Sequence, residues 1–212
     1  MHIPDGFVTA PVAGAGIALC AGCLAYAVKA TNKRLGDKLI PLMGVLAAFI
    51  FVAQMLNFPI AGGTSGHMLG AALAAILIGP WAGMLVMTCV LVVQSLIFQD
   101  GGLLALGVNV FNMGVVGCLT SFYIYKGILL PFKGSRTGFL LAGGIAAWCS
   151  VVIASLMAAL ELAISGMLPY VVALPAMASV HALIGIGEGL ITVAVLSLVL
   201  STRADLLQLQ KA

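Results

Sequence analysis

The sequence predicts an all-α polytopic membrane protein, with seven transmembrane helices in a single domain covering residues 1–212. Of the 212 residues, 63% are apolar and only 7% are charged, and the mean hydropathy is +1.23. Soluble domains are typically about 45–50% apolar and about 25% charged, so this composition excludes an ordinary soluble domain. The net charge of +3 is interpreted as a signal of membrane orientation rather than of nucleic-acid binding.

Seven apolar segments separated by polar or glycine-rich breaks define the predicted spans. A helix needs about 20 apolar residues to cross the hydrocarbon layer. The third segment is short and ends at Gly79-Pro80, because proline lacks the amide donor that a continuing helix needs. The seventh contains Pro175, where we expect it to be tilted or broken. The predicted spans are 12–28, 39–56, 68–78, 81–98, 103–125, 139–164 and 171–200.

The positive charges determine the predicted orientation. With seven spans, all nine lysine and arginine residues fall on one side of the membrane. Cytoplasmic segments are enriched in these residues, so this side is predicted to be cytoplasmic. The N-terminus and the loop 57–67 are then outside, and the C-terminus is inside.

The first six residues, Met1-His-Ile-Pro-Asp-Gly6, contain a potential metal chelate. The α-amine of Met1, the main-chain nitrogen of His2 and the imidazole of His2 can close two fused rings around one ion, provided that Met1 is retained with a free amine. His67 is the candidate for a fourth nitrogen, and four coplanar nitrogens favour Ni(II) or Cu(II). Residues 1–11 are therefore predicted to be an extracytoplasmic metal-binding terminus. Asp5 is expected to cap or pin this terminus from close by.

The glycine-rich loop 57–67 precedes His67. Gly62, Gly63 and Gly66 allow positive φ values and close approach of other chain segments, so the loop can fold back and direct His67 toward the amino terminus. The same residues are also compatible with an ordinary surface turn. The loop sequence alone leaves both interpretations open.

Two ionisable residues, His181 and Glu188, lie within the seventh predicted span. They are seven residues apart and therefore share one helix face, and such residues at membrane depth often have a function. They are candidates either to orient the metal ligands from behind or to hold the helices together. Glu161 and Asp100 are weaker candidates for attracting cations.

Five motifs follow one another along the chain: MHIPDG (1–6), GGTSGHMLG (62–70), GPWAG (79–83), QDGGLLALG (99–107) and HALIGIGE (181–188). Together they resemble the substrate-binding membrane subunit (S-component) of energy-coupling factor transporters for nickel and cobalt, the NikM/CbiM family. The resemblance covers essentially the whole chain. It implies an additional N-terminal helix relative to vitamin-binding S-components and a terminus inserted into the protein. It also implies that Met1, His2 and His67 hold the ion.

The implied function is capture of Ni(II) or Co(II), as transported substrate, at the outer face of a prokaryotic inner membrane. The sequence contains no Gly-x-x-x-x-Gly-Lys-Ser/Thr motif, so ATP use would depend on partners. The resemblance implies a transmembrane coupling subunit and two ATP-binding subunits, with a small accessory membrane subunit as a further candidate. No organic cofactor, nucleic-acid partner or enzymatic activity is expected.

Nickel is preferred over cobalt because Pro4-Asp5 resembles the nickel branch of the family more closely. Two alternatives remain at this point. One is an S-component for a vitamin or another small molecule, in which the N-terminal histidine is incidental. The other is a membrane enzyme that uses His181 and Glu188.

Overall fold

The computed structural model is predominantly helical and describes residues 1–60, 64–132 and 134–210. Within these residues, five helices are long and apolar enough to cross a membrane. They are α1 (Ala10–Asn32), α4 (Pro80–Ile97), α5 (Leu106–Phe132), α6 (Arg136–Ile164) and α7 (Tyr170–Thr202). Two shorter helices are α2 (Leu39–Gln54) and α3 (Ala71–Ile78), and a short 3₁₀ helix covers Ala204–Gln210. The all-α polytopic class is confirmed, whereas seven spans and their orientation remain predictions.

Helix α3 lies in the middle of the protein. Its eight residues are all buried, and at 1.5 Å per residue they extend about 12 Å, less than half of the hydrocarbon layer. Glycines with positive φ bound it on both sides, with φ +79° at Gly70 and +87° at Gly79. The helical break predicted at Gly79-Pro80 is confirmed, and Pro80 opens α4. The predicted third span is thus a buried half-length helix.

Helix α7 runs without interruption through Pro175, so the prediction of a break there is wrong. Proline removes one amide donor, and Pro175 lies near the beginning of a 33-residue helix, where the remaining hydrogen bonds keep the helix intact. The fifth span is also longer than predicted, because α5 continues to Phe132 and includes a π-helical stretch, Phe111–Val116.

The helices approach one another closely at small residues. A β-carbon on Gly117 of α5 would lie 2.9 Å from the β-carbon of Ala71 in α3, and one on Gly189 of α7 would lie 3.1 Å from the carbonyl oxygen of Gly144 in α6. Larger residues at these positions would separate the helices. These glycines therefore serve internal packing of the helices.

The loop before His67 contains an antiparallel hairpin of β1 (Phe58–Ile60) and β2 (Thr64–Gly66), with Phe58 opposite Gly66. A β-carbon on Gly66 would lie 2.7 Å from the Phe58 ring, so this position requires glycine. Gly62 and Gly63, to which the sequence assigns backbone freedom, lie outside the described residues. The hairpin places His67 directly after β2.

Candidate metal site

The amino terminus is inserted into the protein, as the resemblance implies. Met1 and Ile3 are fully buried, and His2 is 3% exposed. Asn109, on α5, anchors this segment with both ends of its amide: Oδ1 accepts the main-chain N–H of Ile3 at 2.8 Å, and Nδ2 donates to the carbonyl of Ile3 at 3.0 Å. The side chain of Asn109 thus provides the hydrogen bonds that the main chain of Ile3 would otherwise make to water.

Asp5 secures the outer end of the same segment. Its carboxylate accepts main-chain N–H groups from Leu103 at 3.0 Å, Leu104 at 2.8 Å and Ala105 at 3.2 Å. These amides lie in the turn immediately before α5, where the helix dipole favours a negative charge. Asp5 therefore connects the terminus to this turn.

The glycines of the QDGG motif make room for the terminus. Gly101 has φ +93°, and a β-carbon there would lie 3.1 Å from Cδ2 of His2. The main-chain N–H of Gly102 donates to the carbonyl of Ile3 at 2.9 Å, and a side chain at Gly102 would collide with Asp5. The loop after α4 therefore closes over the first residues because it has no side chains at these two positions.

The structure brings Met1, His2 and His67 together. The imidazole rings of His2 and His67 are stacked, with centroids 4.5 Å apart and planes inclined by 29°. The amine of Met1 donates to the carbonyl oxygen of Ser65 in β2, and it lies 3.2 Å from the hydroxyl of that serine. The hairpin thus joins the two parts of the predicted chelate.

Hydrogen bonds to the two imidazoles indicate which ring nitrogens are available. Nδ1 of His67 lies 2.7 Å from the carbonyl oxygen of Met68, which can only accept, so Nδ1 carries the proton. Nε2 of His67 is buried and, among the described residues, has no hydrogen-bond partner. Nε2 of His2 lies 3.1 Å from Oε1 of Gln94, and Nδ1 of His2 lies 3.3 Å from the carboxylate of Asp100, so each ring nitrogen faces an acceptor. Closing a chelate ring with the main-chain nitrogen of His2 uses Nδ1 and requires the proton to be on Nε2.

Burial keeps these nitrogens unprotonated at neutral pH. Desolvation lowers the pKa of the Met1 amine to about 4, despite the opposing effect of the Asp100 carboxylate. Desolvation, together with the nearby amine, lowers the pKa of His2 to about 3 and moves the pKa of His67 well below its usual range. The site therefore presents neutral nitrogen lone pairs, which suit Ni(II), Co(II) and Cu(II) better than Mg(II) or Ca(II).

Asp100 lies beside this cluster. Its carboxylate is 3.3 Å from Nδ1 of His2 and accepts a hydrogen bond from Asn57 at 2.9 Å. Burial raises the pKa of Asp100, against the lowering effects of the amine and of Asn57. An ion bound to Nδ1 of His2 would take the position that now faces this carboxylate, so Asp100 would lie beside the ion.

The predicted pair on α7 lies behind the loop that carries His67. The buried carboxylate of Glu188 accepts the main-chain N–H groups of Leu69 and, at 2.6 Å, of Gly70. It thereby fixes the turn between His67 and α3. His181 is also buried, with Nδ1 2.8 Å from the carbonyl of Met177, and it contributes to the lowered pKa of His67.

Glu161, by contrast, pairs with Asn112, whose Nδ2 lies 2.5 Å from Oε2 of Glu161. In the part of the chain that the structure describes, no group of three or more His, Cys, Asp or Glu side chains could hold a metal ion. A metal site of the predicted kind would therefore depend on the terminal amine and amide.

The sequence alone did not indicate roles for Gln94 and Asn109. Gln94 and Asn109 are buried amides within otherwise apolar helices, and that contrast is a usable signal because buried polar groups need partners. Ser65 acts partly through its main-chain oxygen, which no sequence pattern reveals.

Comparison with known proteins identifies the family of the chain. Residues 2–206 match the family model described as "CbiM: Cobalt uptake substrate-specific transmembrane region". Over its whole length the chain is 44% identical to a putative fused nickel transport protein NikMN of Archaeoglobus fulgidus, and the match covers 69% of that protein. Over 97% of its length it is 41% identical to a putative metal transport protein of Haloquadratum walsbyi, covering 93% of that protein.

The fold matches that of a truncated transition metal transporter of known crystal structure. The TM-score is 0.89 at 34% sequence identity, and the match covers 95% of this chain and 99% of the other. These relatives are named as metal transport proteins, which disfavours the vitamin-binding and enzymatic alternatives. The chain belongs to the CbiM family and is a multi-pass inner-membrane protein of nickel and cobalt transport.

Proposed function

We propose that the chain captures Ni(II), with Co(II) as the second candidate, at the extracytoplasmic face through four nitrogens. These are the Met1 amine, the main-chain nitrogen of His2, Nδ1 of His2 and Nε2 of His67. The observation that carries the proposal is the buried amine held beside two stacked imidazoles. An amine within a protein interior is rarely tolerated without a specific use, because burial penalises its charged form.

The ligand set explains how the site would select its ion. The main-chain nitrogen of His2 binds a metal only after losing its proton, so binding releases protons and weakens at low pH. Three of the four donors belong to adjacent chelate rings, which favour a plane over the tetrahedron that Zn(II) prefers. The absence of charged oxygen donors from this set makes it poor for Mg(II) and Ca(II).

Residues around the ligands would fix their positions. Gln94 orients the ring of His2, and Glu188 holds the turn that follows His67. Partners behind metal ligands typically change affinity by about 10–100-fold when they are removed. We assign Gln94, Glu188 and Asp5 this positioning role, with His181 as a further candidate through its proximity to His67.

We further propose that uptake is driven by a transmembrane coupling subunit and two ATP-binding subunits. The orientation rests on the lysine and arginine residues, which place the terminus outside under the positive-inside rule. The Archaeoglobus fulgidus relative is described as fused and extends beyond the region matched here, which supports a small accessory membrane subunit. Helices α1 and α7 are largely exposed, since only 17% and 22% of the residues in their most apolar stretches are buried. They therefore offer surface for lipid or partners.

Metal content and calorimetry on the purified chain test the site. We expect about one Ni(II) per native chain and its loss when one extra methionine precedes Met1, because the amine then leaves its position beside Ser65. His67→Ala should also abolish binding. A chain with one extra residue at its C-terminus is the matched control and should bind normally. Equal binding by all four proteins would refute the terminal chelate.

A further inference from the structure

The hydroxyl of Ser65 lies among the three nitrogens that the terminus contributes to the proposed chelate. Its oxygen is 3.2 Å from the Met1 amine, 3.3 Å from the main-chain nitrogen of His2 and 3.4 Å from Nδ1 of His2. The main chain of β2 holds the terminus at this point, because the carbonyl of the same serine accepts a hydrogen bond from the Met1 amine. One side chain thus contacts all three nitrogens.

The hydrogen-bonding capacity of this hydroxyl indicates the role of each contact. A hydroxyl can accept two hydrogen bonds and donate one. The Met1 amine and the main-chain N–H of His2 are donors, so they use both acceptor positions of the Ser65 oxygen. The hydroxyl proton is left for the third contact, Nδ1 of His2, and an imidazole nitrogen accepts a hydrogen bond only when it carries no proton. The three contacts therefore match the tautomer of His2 that carries its proton on Nε2.

The other polar neighbours of the His2 ring do not select this tautomer. Oε1 of Gln94 faces Nε2 at 3.1 Å, but a 180° rotation of the amide would present its NH₂ group and suit the opposite tautomer equally well. The carboxylate of Asp100 faces Nδ1 at 3.3 Å, and a carboxylate favours a proton on the nitrogen beside it. Without the Ser65 hydroxyl, these neighbours would favour the tautomer that cannot close the chelate ring.

We propose that Ser65 is a positioning residue that sets the tautomer of His2 in the metal-free protein. The inference rests on the proposed function, because that ligand set uses Nδ1 of His2. The hydrogen bond made by one ring nitrogen determines whether the other carries the proton. Apparent affinity falls in proportion when only part of the protein is competent to bind. By keeping His2 in the competent tautomer, the Ser65 hydroxyl raises the affinity for the ion.

Nitrogen NMR of the metal-free full chain, with isotope-labelled histidine, tests this proposal. The chain contains three histidines. Nδ1 of His67 and Nδ1 of His181 face main-chain carbonyls at 2.7 and 2.8 Å, so both rings should carry the proton on Nδ1. His2 should show the opposite pattern. In Ser65→Ala we expect the proton of His2 to move to Nδ1 in most molecules, and Ni(II) affinity measured by calorimetry to fall about tenfold.

Two further variants separate the tautomer from retention of the terminus. Ser65→Ala itself keeps the main-chain carbonyl that accepts the Met1 amine. Ser165→Ala is the matched control, because the hydroxyl of Ser165 also holds the terminal segment, by accepting the N–H of Thr9 at 3.1 Å. It should leave the tautomer of His2 unchanged. Ser65→Thr keeps a hydroxyl on β2, where β-branched residues are favoured, and should match the native chain.

A proton on Nδ1 of His2 in the native chain, or an unchanged tautomer in Ser65→Ala, would overturn the proposal. Equal shifts in Ser65→Ala and Ser165→Ala would also overturn it, because retention of the terminus would then decide the tautomer. The NMR readout needs no metal and therefore separates this inference from the proposed function. A native chain that binds no Ni(II), but in which Ser65 sets the tautomer, would refute the chelate alone.

Discussion

Asn109 offers the sharpest test of how the terminus is held. Its amide makes two hydrogen bonds to the main chain of Ile3, at 2.8 and 3.0 Å, and it is 2% exposed. Asn109→Leu preserves the approximate volume of the side chain but leaves the N–H of Ile3 without a partner, while the carbonyl of Ile3 keeps the N–H of Gly102. Water can satisfy the N–H of Ile3 only if the terminus leaves its pocket, so the substitution penalises the inserted state specifically.

The expected size of the effect follows from the N–H of Ile3, which loses its only partner. A buried polar group without a partner costs about 1–3 kcal/mol, so the inserted state should lose about 1–3 kcal/mol. Since about 1.4 kcal/mol corresponds to a factor of ten, the population with a withdrawn terminus should rise about 5- to 100-fold. Nickel affinity should fall once the withdrawn population becomes dominant, because only the inserted state aligns the ligands.

The rate of amine acylation at pH 7, read from the mass of the N-terminal peptide, measures the withdrawn population directly. We expect Asn109→Leu to raise this rate at least about fivefold. Asn112→Leu is the matched control: Asn112 is equally buried and also on α5, but it pairs with Glu161 instead of the terminus. An acylation rate in Asn109→Leu within twofold of the native rate would refute the anchoring role of Asn109.

Two further predictions concern pH and the turn after His67. The pKa of the Met1 amine is about 4 when inserted and about 8.0 when free, so the withdrawn state takes up a proton between these values and insertion weakens as pH falls from 8 to 4. Apparent Ni(II) affinity measured by calorimetry should therefore decrease from pH 8 to pH 6, and a flat profile would contradict amine and amide ligands. Glu188→Gln should weaken Ni(II) binding about 10–100-fold, because its amide nitrogen would face an N–H of Leu69 or Gly70. Thr192→Val, one turn along the same helix at a buried hydroxyl without a partner among the described residues, should bind normally, and equal affinities of both variants would argue against the role of Glu188.

Much of the fold follows from local sequence. Long apolar segments form helices in a membrane whatever other helices they pack against, because every main-chain polar group must be hydrogen-bonded within the segment. The break at Gly79-Pro80 was equally predictable, since proline cannot donate a hydrogen bond there. The continuity of α7 through Pro175 was not predictable, because it depends on whether the rest of the helix remains intact around a single lost bond.

The sequence by itself determined the class of the protein, the motif order of its family and the presence of an amine, an amide and two imidazoles suited to one ion. Only the tertiary structure decided that these groups meet. Sixty-four residues separate Met1 from its acceptor Ser65, and 106 separate Ile3 from Asn109. Contacts at such separations depend on how the helices pack, and glycines such as Gly101 and Gly102 permit the close approach without specifying its partner. The pKa values have the same origin, because desolvation is a property of the assembled surroundings and not of the ionising residue.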